Sequence, residues 1–576
     1  MRHPSRLAAF AIAAVLLLGT SACNSAAEQP PGVQAGGTLR VAVNALPDKL
    51  DPQRISAALD ANVSRLITRT LTTFKSERGK ASGELAFDLA TDLGRPSENN
   101  TKWEFRLRDG LKWADGSAIT CQHLKYGAER NYATFADGLP YARTYLRDNA
   151  APYKGPFVGG NPGLDSVQCP DNKTVQYILK APVGDFNYAV ALPIFAPVKL
   201  GADSDDAGFN LAPLASGPYK VKPASRTETE MILIRNDHWD PATDRVRKAY
   251  PDQIVIKVEK NVPALTNALI EDQGEHRDTI SLNQDVAANF VQQVMTDTTL
   301  MARTAAGPSG GVRYLSLNTQ RIPEKCRQAL IYAFNKRKFR QAMGGSLLGD
   351  LATTMIPPTL RAHQKFDHYG TLTNGGEGDP KRAEELIAQA KSEGVTCPAK
   401  LTVGFPDNPT TVNRYVKTLV DAYLEIGVQI ILKPYPPGNY FSAMRLYETQ
   451  SQVDIVWAGW IPDWANGSAV IPPLFKSSEV ADEPGERGGS NFSYLKDPEI
   501  DKAIEEAMLE NNIERQWKLW GEIDSKVSQK AAAIPIIYSN AIRLHGSNVS
   551  GAFIHAGFGM PDLASLGLLA PGGSPT

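Results

Sequence analysis

LTVGF (residues 401–405) begins a series of three apolar, strand-like runs that continues with VQIILK (428–433) and VDIVWAG (453–459). The segments between these runs have a helical pattern, with one helix expected over about 411–425 and another near Tyr440. Strands that alternate with helices form βαβ units, and such units build parallel sheets. We therefore expect an α/β domain with a parallel sheet in the second half of the chain.

Two amphipathic helices are predicted upstream of this sheet. In EKCRQALIYAFNKR, apolar side chains recur at every third or fourth position from Cys326 to Phe334, which indicates one buried helical face. In DPKRAEELIAQAKSEG, Asp379 is placed to cap a helix, Pro380 suits its first turn and Gly394 suits its end. Helices of this kind can cover the faces of a parallel sheet.

The first half of the chain is richer in strands than in helices. Turn-rich segments separate β-type runs, which include TLRVAV (38–43), WEFRLR (103–108), VQYILK (175–180), MILIRN (231–236) and IVIKV (254–258). Helical patterns are expected at 120–132 and 263–272. The chain has 576 residues, which is more than a single hydrophobic core supports, so we expect at least two lobes.

Composition argues against a nucleic-acid partner. The chain has 61 Lys and Arg against 62 Asp and Glu, and its formal net charge is −1. A protein that binds a polyanion needs an excess of basic side chains to neutralise phosphates. We expect no nucleic-acid binding.

The N-terminus has the pattern of a secretory signal. Arg2 and Arg6 supply positive charge, and residues 7–19 form an apolar run that is too short to span a bilayer. Small residues follow up to Cys23, and this sequence resembles a bacterial lipobox. We therefore expect a signal peptide over 1–22 and a flexible, proline-containing tether over 23–36.

The lipobox resemblance implies that Cys23 carries a diacylglycerol group that anchors the protein to a membrane. The alternative is ordinary cleavage near Ala22, which leaves Cys23 as a spare thiol. Both alternatives place the protein outside the cytoplasm.

Four cysteines follow Cys23, namely Cys121, Cys169, Cys326 and Cys397. An even number of cysteines in an exported protein favours structural disulfides. Three pairings exist, and we favour Cys121 with Cys169 and Cys326 with Cys397 because each bond then stays within one region. A metal site is the alternative, but no two of these cysteines are close in sequence. We predict no metal and no cofactor.

Several segments, in an order that spans nearly the whole chain, resemble the family 5 extracellular solute-binding proteins, which are the peptide-binding receptors of ABC importers. These segments are GGTLRVAVNALPDKLDP (36–52), WEFRLRDGLKWADGSAIT (103–120), SGPYKV (216–221), YLSLN followed by CRQALIYAFNK, DPKRAEELIAQA, DIVWAGWIPDW and NFSYLKDPEIDKAIEEA. The resemblance implies a two-lobed α/β type II periplasmic-binding-protein fold with an extra subdomain in the first lobe.

The same resemblance implies the domain boundaries. They are lobe I at 37–310, with its core at 37–75 and 215–310 and an inserted subdomain at 76–214; lobe II at 311–534; and a return to lobe I with a C-terminal tail at 535–576. The chain is expected to cross between lobes near 307–313 and again near 534–538.

Two charged residues are expected at the ligand-binding edge of the second-lobe sheet. The strand VDIVWAG leads into Asp463, and LTVGF leads into the loop before the helix that carries Arg414. By resemblance, Asp463 matches an aspartate that pairs with the α-amino group of a peptide, and Arg414 is similar in position to an arginine that receives the carboxylate. The alternatives are a turn or capping role for Asp463 and a solvated helix face for Arg414.

Four other residues are candidate ligand contacts. Trp460 and Trp464 follow the strand end and suit flat walls of a cleft. Asp60 and Asn491 match positions that line the cleft of the family, although both residue types also serve as caps or loop residues. The aromatic side chains keep an oligosaccharide open as a ligand, and some members of the family bind metal chelates.

A secreted serine hydrolase is the competing class of function. Residues 307–311 read GPSGG and satisfy the G-x-S-x-G pattern with Ser309 as the nucleophile. The pattern needs a preceding strand and a following helix, whereas here a strand follows. We therefore predict a monomeric, non-enzymatic receptor that captures a peptide or peptide-like solute and hands it to an ABC permease.

Overall fold

The computed structural model describes residues 32–159, 163–203, 206–407 and 409–570, with backbone alone at 206–207 and 409–414. The predicted signal peptide and Cys23 lie outside the described residues. The strands are β1 (Val33–Gln34), β2 (Thr38–Val43), β3 (Thr72–Phe74), β4 (Leu85–Phe87), β5 (Arg95–Ser97), β6 (Lys102–Arg106), β7 (Val167–Gln168), β8 (Thr174–Ile178), β9 (Tyr219–Val221), β10 (Glu230–Arg235), β11 (Gln253–Val258), β12 (Thr279–Ser281), β13 (Thr304–Leu317), β14 (Gly349–Leu351), β15 (Lys400–Pro406), β16 (Gln429–Tyr435), β17 (Ile455–Trp460), β18 (Ala533–Leu544), β19 (Val549–Ser550) and β20 (Gly567–Leu569).

The α-helices, like the strands, are distributed over both halves of the chain. They are α1 (Ala58–Ile67), α2 (Cys121–Arg130), α3 (Tyr141–Tyr145), α4 (Phe186–Ala189), α5 (Asp206–Leu211), α6 (Val262–Glu271), α7 (Val291–Thr296), α8 (Thr298–Ala302), α9 (Glu324–Ala333), α10 (Lys336–Met343), α11 (Pro380–Ser392), α12 (Pro409–Leu424), α13 (Tyr440–Met444), α14 (Tyr447–Gln450), α15 (Ile471–Phe475), α16 (Pro498–Leu509) and α17 (Ile513–Gln529).

The parallel sheet predicted for the second half of the chain is confirmed. Strand β15 pairs in parallel with β16 on one side and with β17 on the other. The full sheet has the order β14-β18-β13-β17-β15-β16, and β13 is antiparallel to both β17 and β18. The sheet is therefore mixed, because two long strands from outside the βαβ series complete it.

The first half of the chain forms two other main sheets. The lobe I core sheet has the order β12-β2-β11-β10-β9, in which β2 is parallel to β11 and β12. An antiparallel sheet of β5-β6-β8-β7 lies in the region of the predicted inserted subdomain. All five β-type runs predicted in this half are strands in the structure.

Strands β13 and β18 run from the second-lobe sheet toward lobe I. They pair antiparallel over most of their length, and the register shifts between Pro308 and Val312. Gly310 lies at this shift with φ +79°, and a Cβ there would come within 2.8 Å of the Ala556 carbonyl oxygen. Both predicted crossings fall within these two strands. The exact division of the chain into domains stays a prediction.

The predicted helix signals of the second lobe are confirmed. Helix α11 begins after Asp379, whose carboxylate accepts a hydrogen bond from the backbone N–H of Arg382, at 3.0 Å. Just beyond the helix, Gly394 has φ +79°, a conformation that glycine adopts without strain. Further upstream, α9 ends at Ala333, where the backbone of Phe334 is extended, and Asn335 caps the next helix, α10.

Both favoured disulfides are present. Cys121 is bonded to Cys169 and Cys326 to Cys397, with Cα–Cα distances of 5.7 and 5.4 Å. The first bond ties α2 to the inserted sheet, and the second ties α9 to the segment before β15. Each bond closes a long loop, and such bonds typically contribute about 2–4 kcal/mol of stability.

Two large hydrophobic cores lie beneath these sheets. One contains side chains of β2, α1 and the inserted sheet, including Val41, Val63 and Phe105, and the other contains side chains of β13, β15 and β17. Within the described part of the chain, no helix has both the length and the apolar character needed to cross a bilayer.

Candidate functional site

A cavity of about 250 Å³ lies between the two lobes. Helix α1 of lobe I forms one wall, and Ile461, Pro462 and Asp463, which follow β17 of lobe II, form part of the opposite side. Ligand sites typically occur in such clefts and near the carboxyl ends of parallel strands. This volume lies just below the roughly 300–1,000 Å³ of typical small-molecule sites, so it favours a small ligand.

One face of α1 explains the shape and the polarity of the wall. Ala58, Ala61, Arg65 and Thr68 lie three or four residues apart and all line the cavity. The alanines leave space at the N-terminal end of this face, while Arg65 and Thr68 place polar groups at its C-terminal end. The opposite face of the helix contributes to the hydrophobic core of lobe I. The burial of the opposite face in the core therefore fixes the position of α1 at the cavity.

Asp463 is the acidic side chain of the cavity wall, and it contacts both lobes. Its Oδ2 accepts a hydrogen bond from the Tyr141 hydroxyl on α3 of the inserted subdomain, at 2.5 Å. Burial raises the pKa of Asp463, and the hydrogen bond from Tyr141 opposes this effect. Among the described residues, no Lys, Arg or His nitrogen lies within 4.0 Å of its carboxylate. Asp463 can therefore accept a cationic group of a ligand.

Arg65 is a buried base in the opposite lobe, with 5% of its surface exposed. Its Nη2 donates to the Phe74 carbonyl oxygen at 2.5 Å and lies 3.6 Å from Asp562 Oδ2. The guanidinium lies over the ring of Phe558, at 5.5 Å from its centroid. Its Nε and Nη1 have no hydrogen-bond acceptor among the described residues, and neither does the buried Thr68 hydroxyl.

Arg247 also lines the cavity, but every part of its guanidinium has a partner. Its Nη1 donates to Asp244 at 3.0 Å, and its Nη2 lies 2.9 Å from Asp88. Its Nε donates to the backbone carbonyl of Arg65 at 2.5 Å. The two acids hold the pKa of Arg247 above its ordinary value. Arg247 therefore has no guanidinium nitrogen without a partner that could bind a ligand.

The two candidate tryptophans are not among the residues that line the cavity. Trp464 is 1% exposed, donates to the Ser468 hydroxyl at 2.8 Å, and packs edge-on against Tyr141 with 4.8 Å between ring centroids. Trp460 donates to the Ala469 carbonyl oxygen at 2.7 Å. Trp464 therefore packs between lobes, and both indole N–H groups bind within lobe II.

Asp60 and Asn491 also lie outside the cavity wall. Asp60 accepts hydrogen bonds from the backbone N–H groups of Asp48 and Lys49, at 3.3 and 3.1 Å. Asn491 donates to the carbonyl oxygens of Lys476 and Leu495. Both residues therefore stabilise loops of their own lobe. Their predicted roles as ligand contacts stay predictions, as do those of the tryptophans.

Two other predicted residues cannot be placed. Arg414 lies on α12, but its side chain is outside the described residues, and so is the whole of Cys23. Of the predicted site residues, the structure thus brings Asp463 to the cavity. Sequence reasoning missed Arg65 and Thr68. The repeat of small and polar residues at helical spacing in SAALDANVSRLIT (56–68) was the available signal.

A separate group of contacts joins the inserted subdomain to lobe II outside the cavity. The buried carboxylate of Asp185 accepts hydrogen bonds from the Ser468 hydroxyl and from the Asn466 amide, the latter at 2.8 Å. The Gly184 N–H donates to the carbonyl oxygen of Met508 at 2.7 Å. These contacts hold the two lobes together next to the cavity without adding to its walls.

The G-x-S-x-G segment lies within strand β13 and not on a strand-to-helix turn. The Ser309 hydroxyl donates to the Ser539 carbonyl oxygen on β18, at 3.0 Å. A nucleophile elbow needs the exposed turn geometry that this strand does not have. Within the described ranges, no group of three or more His, Cys, Asp or Glu side chains could hold a metal ion.

Comparisons with known proteins agree with this architecture. The probable D,D-dipeptide-binding periplasmic protein DdpA of Escherichia coli is 23% identical, over 86% of this chain and 87% of its own length. The periplasmic oligopeptide-binding protein OppA of Salmonella typhimurium is 23% identical over 92% of each chain. The solved structure of a clavulanic acid biosynthesis oligopeptide binding protein 2 is 28% identical, with a TM-score of 0.85 over 93% of this chain and 96% of its own.

The unliganded open form of the murein tripeptide binding protein MppA has the same fold, with a TM-score of 0.72 and 20% identity over 94% of this chain and 99% of its own. The family model for the middle region of the bacterial extracellular solute-binding proteins, family 5, matches residues 84–482, which is more than half of the chain. With its two lobes and the cavity between them, this chain belongs to the bacterial extracellular solute-binding proteins of family 5.

Proposed function

We propose that this protein captures a short peptide in the cavity between its lobes and delivers it to an ABC permease. The observation that carries the proposal is Asp463, a largely buried carboxylate at the cavity with no basic partner among the described residues. A buried charge is costly unless a partner of opposite charge reaches it. The free ammonium group of a peptide is such a partner, and several relatives carry peptide-binding names.

Capture would work by stabilising the closed arrangement of the lobes. A ligand ammonium at Asp463 contacts lobe II, while the rest of the ligand lies against α1 of lobe I. Tyr141 keeps the carboxylate oriented toward the junction of the lobes. Only a ligand that contacts both lobes at once favours the closed form over the open form.

Two other ligand classes have less support. An oligosaccharide site would use tryptophan faces, but Trp460 and Trp464 do not line the cavity. A metal chelate needs ligands or a charged cradle, and the described residues hold no cluster of three metal-ligating side chains. A cavity wall that holds an acid without a basic partner among the described residues suits a small ligand with a cationic group better than either.

We also propose that Cys23 carries a lipid that anchors the receptor to the outer face of the membrane. The signal-like sequence before Cys23 supports this, whereas the end of the predicted tether belongs to the folded part, because Val33 and Gln34 form β1 and pair with β20. Two acyl chains anchor firmly, and tethering raises the effective concentration at the permease. Replacement of Cys23 by serine should move the protein from the membrane fraction to the soluble fraction.

A thermal-shift screen tests the proposed ligand class. Dipeptides to pentapeptides, oligosaccharides and metal chelates are added to the purified mature protein, and a ligand that binds the folded state raises Tm with its concentration. We expect stabilisation by short peptides, and its loss when the same peptides are N-acetylated. Stabilisation by sugars or chelates alone would contradict the proposal.

A further inference from the structure

We propose that Arg65 and Thr68 form the site for the carboxylate end of the bound peptide, so that lobe I binds one end of the ligand and lobe II binds the other. This inference rests on the proposed function, because it concerns a peptide in the same cavity. It assigns the C-terminal anchor to helix α1 of lobe I, whereas the family resemblance had implied Arg414 on α12 of lobe II.

The first argument comes from hydrogen bonding. Buried N–H and O–H groups nearly always have acceptors in native proteins, and exceptions ask for an explanation. Arg65 Nε, Arg65 Nη1 and Thr68 Oγ1 are buried without a partner among the described residues, and both residues line the cavity. Arg65 lies in the last turn of α1, and Thr68 is the residue that caps its C-terminal end. A ligand with acceptor oxygens at this end of the cavity would satisfy them.

The second argument comes from the way the guanidinium is held. The Phe74 carbonyl oxygen fixes Nη2, and the ring of Phe558 supports the guanidinium plane. These contacts orient the group but leave Nε and Nη1 to other acceptors. An arginine whose geometry is fixed before binding loses little conformational freedom when a carboxylate arrives.

The third argument comes from charge. The nearest acid, Asp562, is 3.6 Å from Arg65 Nη2, and its Oδ2 accepts no hydrogen bond from the described residues. Arg65 and Asp562 thus form a buried ion pair that leaves Arg65 Nε and Nη1 without acceptors among the described residues. A peptide that is charged at both ends adds no net charge to the cavity, because its ammonium meets Asp463 and its carboxylate meets Arg65. Hydrogen bonds between a guanidinium and a carboxylate are stronger than those to a neutral carbonyl.

Because Arg65 and Asp463 lie on different lobes, a peptide that binds both of them can bring the lobes together. Arg65 is on lobe I, and Asp463 is on lobe II. Each lobe binds only one end of such a peptide, so binding is complete only when the lobes are closed. A ligand of this kind therefore favours the closed form. The small cavity volume limits it to a short peptide.

The test compares the same peptide with and without its carboxylate. Alanyl-leucine and trialanine, each as the free acid and as the C-terminal carboxamide, are titrated into the mature protein by calorimetry. We expect the carboxamides to bind at least tenfold more weakly to the wild-type protein. Their ammonium groups are unchanged, so recognition at Asp463 is the same in both forms.

Two variants locate the effect. Arg65→Lys keeps the positive charge but loses Nε and Nη1, and we expect the preference for the acid to fall at least threefold, because an ammonium attracts the carboxylate but cannot make the paired hydrogen bonds of a guanidinium. Thr68→Val removes only the unpartnered hydroxyl, and we expect the preference for the acid to fall about threefold. Arg95→Lys and Thr296→Val are matched surface controls that lie outside the cavity wall, and they should keep the full preference.

The outcomes separate the two proposals. Peptides that bind the wild-type protein equally well as acid and as carboxamide would overturn the role of Arg65 and Thr68 while leaving peptide capture intact. A preference for the acid that survives both Thr68→Val and a folded Arg65→Lys would also overturn it. If no short peptide of the screen binds at all, the proposed function falls and this inference falls with it. If Arg65→Lys fails to fold, the wild-type comparison and Thr68→Val still decide.

Discussion

Arg247 and Arg65 are two buried arginines in the wall of the same cavity, but they differ in what surrounds them. Arg247 lies among Asp88, Asp244 and a backbone carbonyl, and its guanidinium is fully paired. Arg65 has one hydrogen-bond acceptor, an ion pair with Asp562 at 3.6 Å and two nitrogens without a partner among the described residues. Judged by burial and charge alone, Arg65 and Arg247 would be equally good candidates for binding a ligand. The number of satisfied hydrogen bonds separates an arginine that holds the fold from one that can hold a ligand.

The acids of the lobe interface show the same contrast. Asp185 and Asp463 are both held mostly away from solvent between the lobes, and burial raises the pKa of each. Asp185 accepts hydrogen bonds from Ser468 and Asn466 across the interface and does not line the cavity. Asp463 has one hydrogen bond, from Tyr141, and lines the cavity. We therefore expect the first acid to control closure and the second to control recognition.

The largest expected effect concerns the fully paired arginine. Arg247→Met leaves the carboxylates of Asp88 and Asp244 buried with only part of their pairing. Breaking a buried ion pair by removing one partner typically costs about 3–5 kcal/mol, so the free energy of unfolding in urea should fall by that order. Arg382→Met, which breaks an exposed pair with Glu385 on α11, should change it by less than about 1 kcal/mol. If Arg247→Met and Arg382→Met lowered the free energy of unfolding equally, the structural role assigned to Arg247 would be wrong.

The next effect concerns recognition. Asp463→Asn removes the negative charge but keeps the shape of the side chain, so a peptide ammonium loses its ionic partner. We expect peptide affinity, measured by calorimetry, to fall at least tenfold, while Tm without peptide does not fall, because the buried charge is also removed. Asp237→Asn, at an exposed acid that pairs with Lys220, is the matched control. Unchanged affinity in a folded Asp463→Asn protein would refute the assigned role.

The raised pKa of Asp463 gives this prediction a pH dependence. Because burial raises the folded-state pKa, the side chain keeps its proton at pH values where an ordinary aspartate has lost it. Peptide affinity should be full above that pKa and fall by up to about tenfold per pH unit below it. Without peptide the sign is opposite, because stability from this group is present at low pH and is lost as pH rises through the folded pKa. Peptide affinity and the Tm of the peptide-free protein, both measured from pH 4 to pH 8, should show these opposite trends. In Asp463→Asn both pH dependences should be lost.

The smallest effect concerns closure. Asp185→Ala removes two hydrogen bonds between the inserted subdomain and lobe II. We expect a threefold to tenfold loss of affinity that is the same for the acid and the carboxamide of one peptide, because the closed form becomes less stable without any change in the cavity wall. Small-angle scattering should show a larger average radius of gyration. Asp148→Ala, at an exposed acid of the same subdomain, is the control. A change in the preference between acid and carboxamide would show that Asp185 contacts the ligand.

Much of the fold was predictable because its signals are local. The cap at Asp379, the turn at Gly394 and the alternation around β15, β16 and β17 each act within a few residues, so the sequence predicts them well. The pairing of Cys121 with Cys169 and of Cys326 with Cys397 also follows regional proximity. By contrast, the contact of Tyr141 with Asp463 joins residues 322 positions apart, and no local pattern indicates it.

The sequence by itself indicated the two-lobed α/β class, the parallel strands and crossover helices of the second lobe, the favoured disulfide pairing and Asp463 as a candidate, because these depend on periodicity, spacing and family motifs. Only the tertiary structure decided which charged side chains are left without partners. Arg65 and Arg247 are the same residue type, and Trp464 looks like a binding platform in the sequence. Their roles differ because pairing and burial depend on which distant groups reach each side chain, and that is fixed only when the two lobes are packed together.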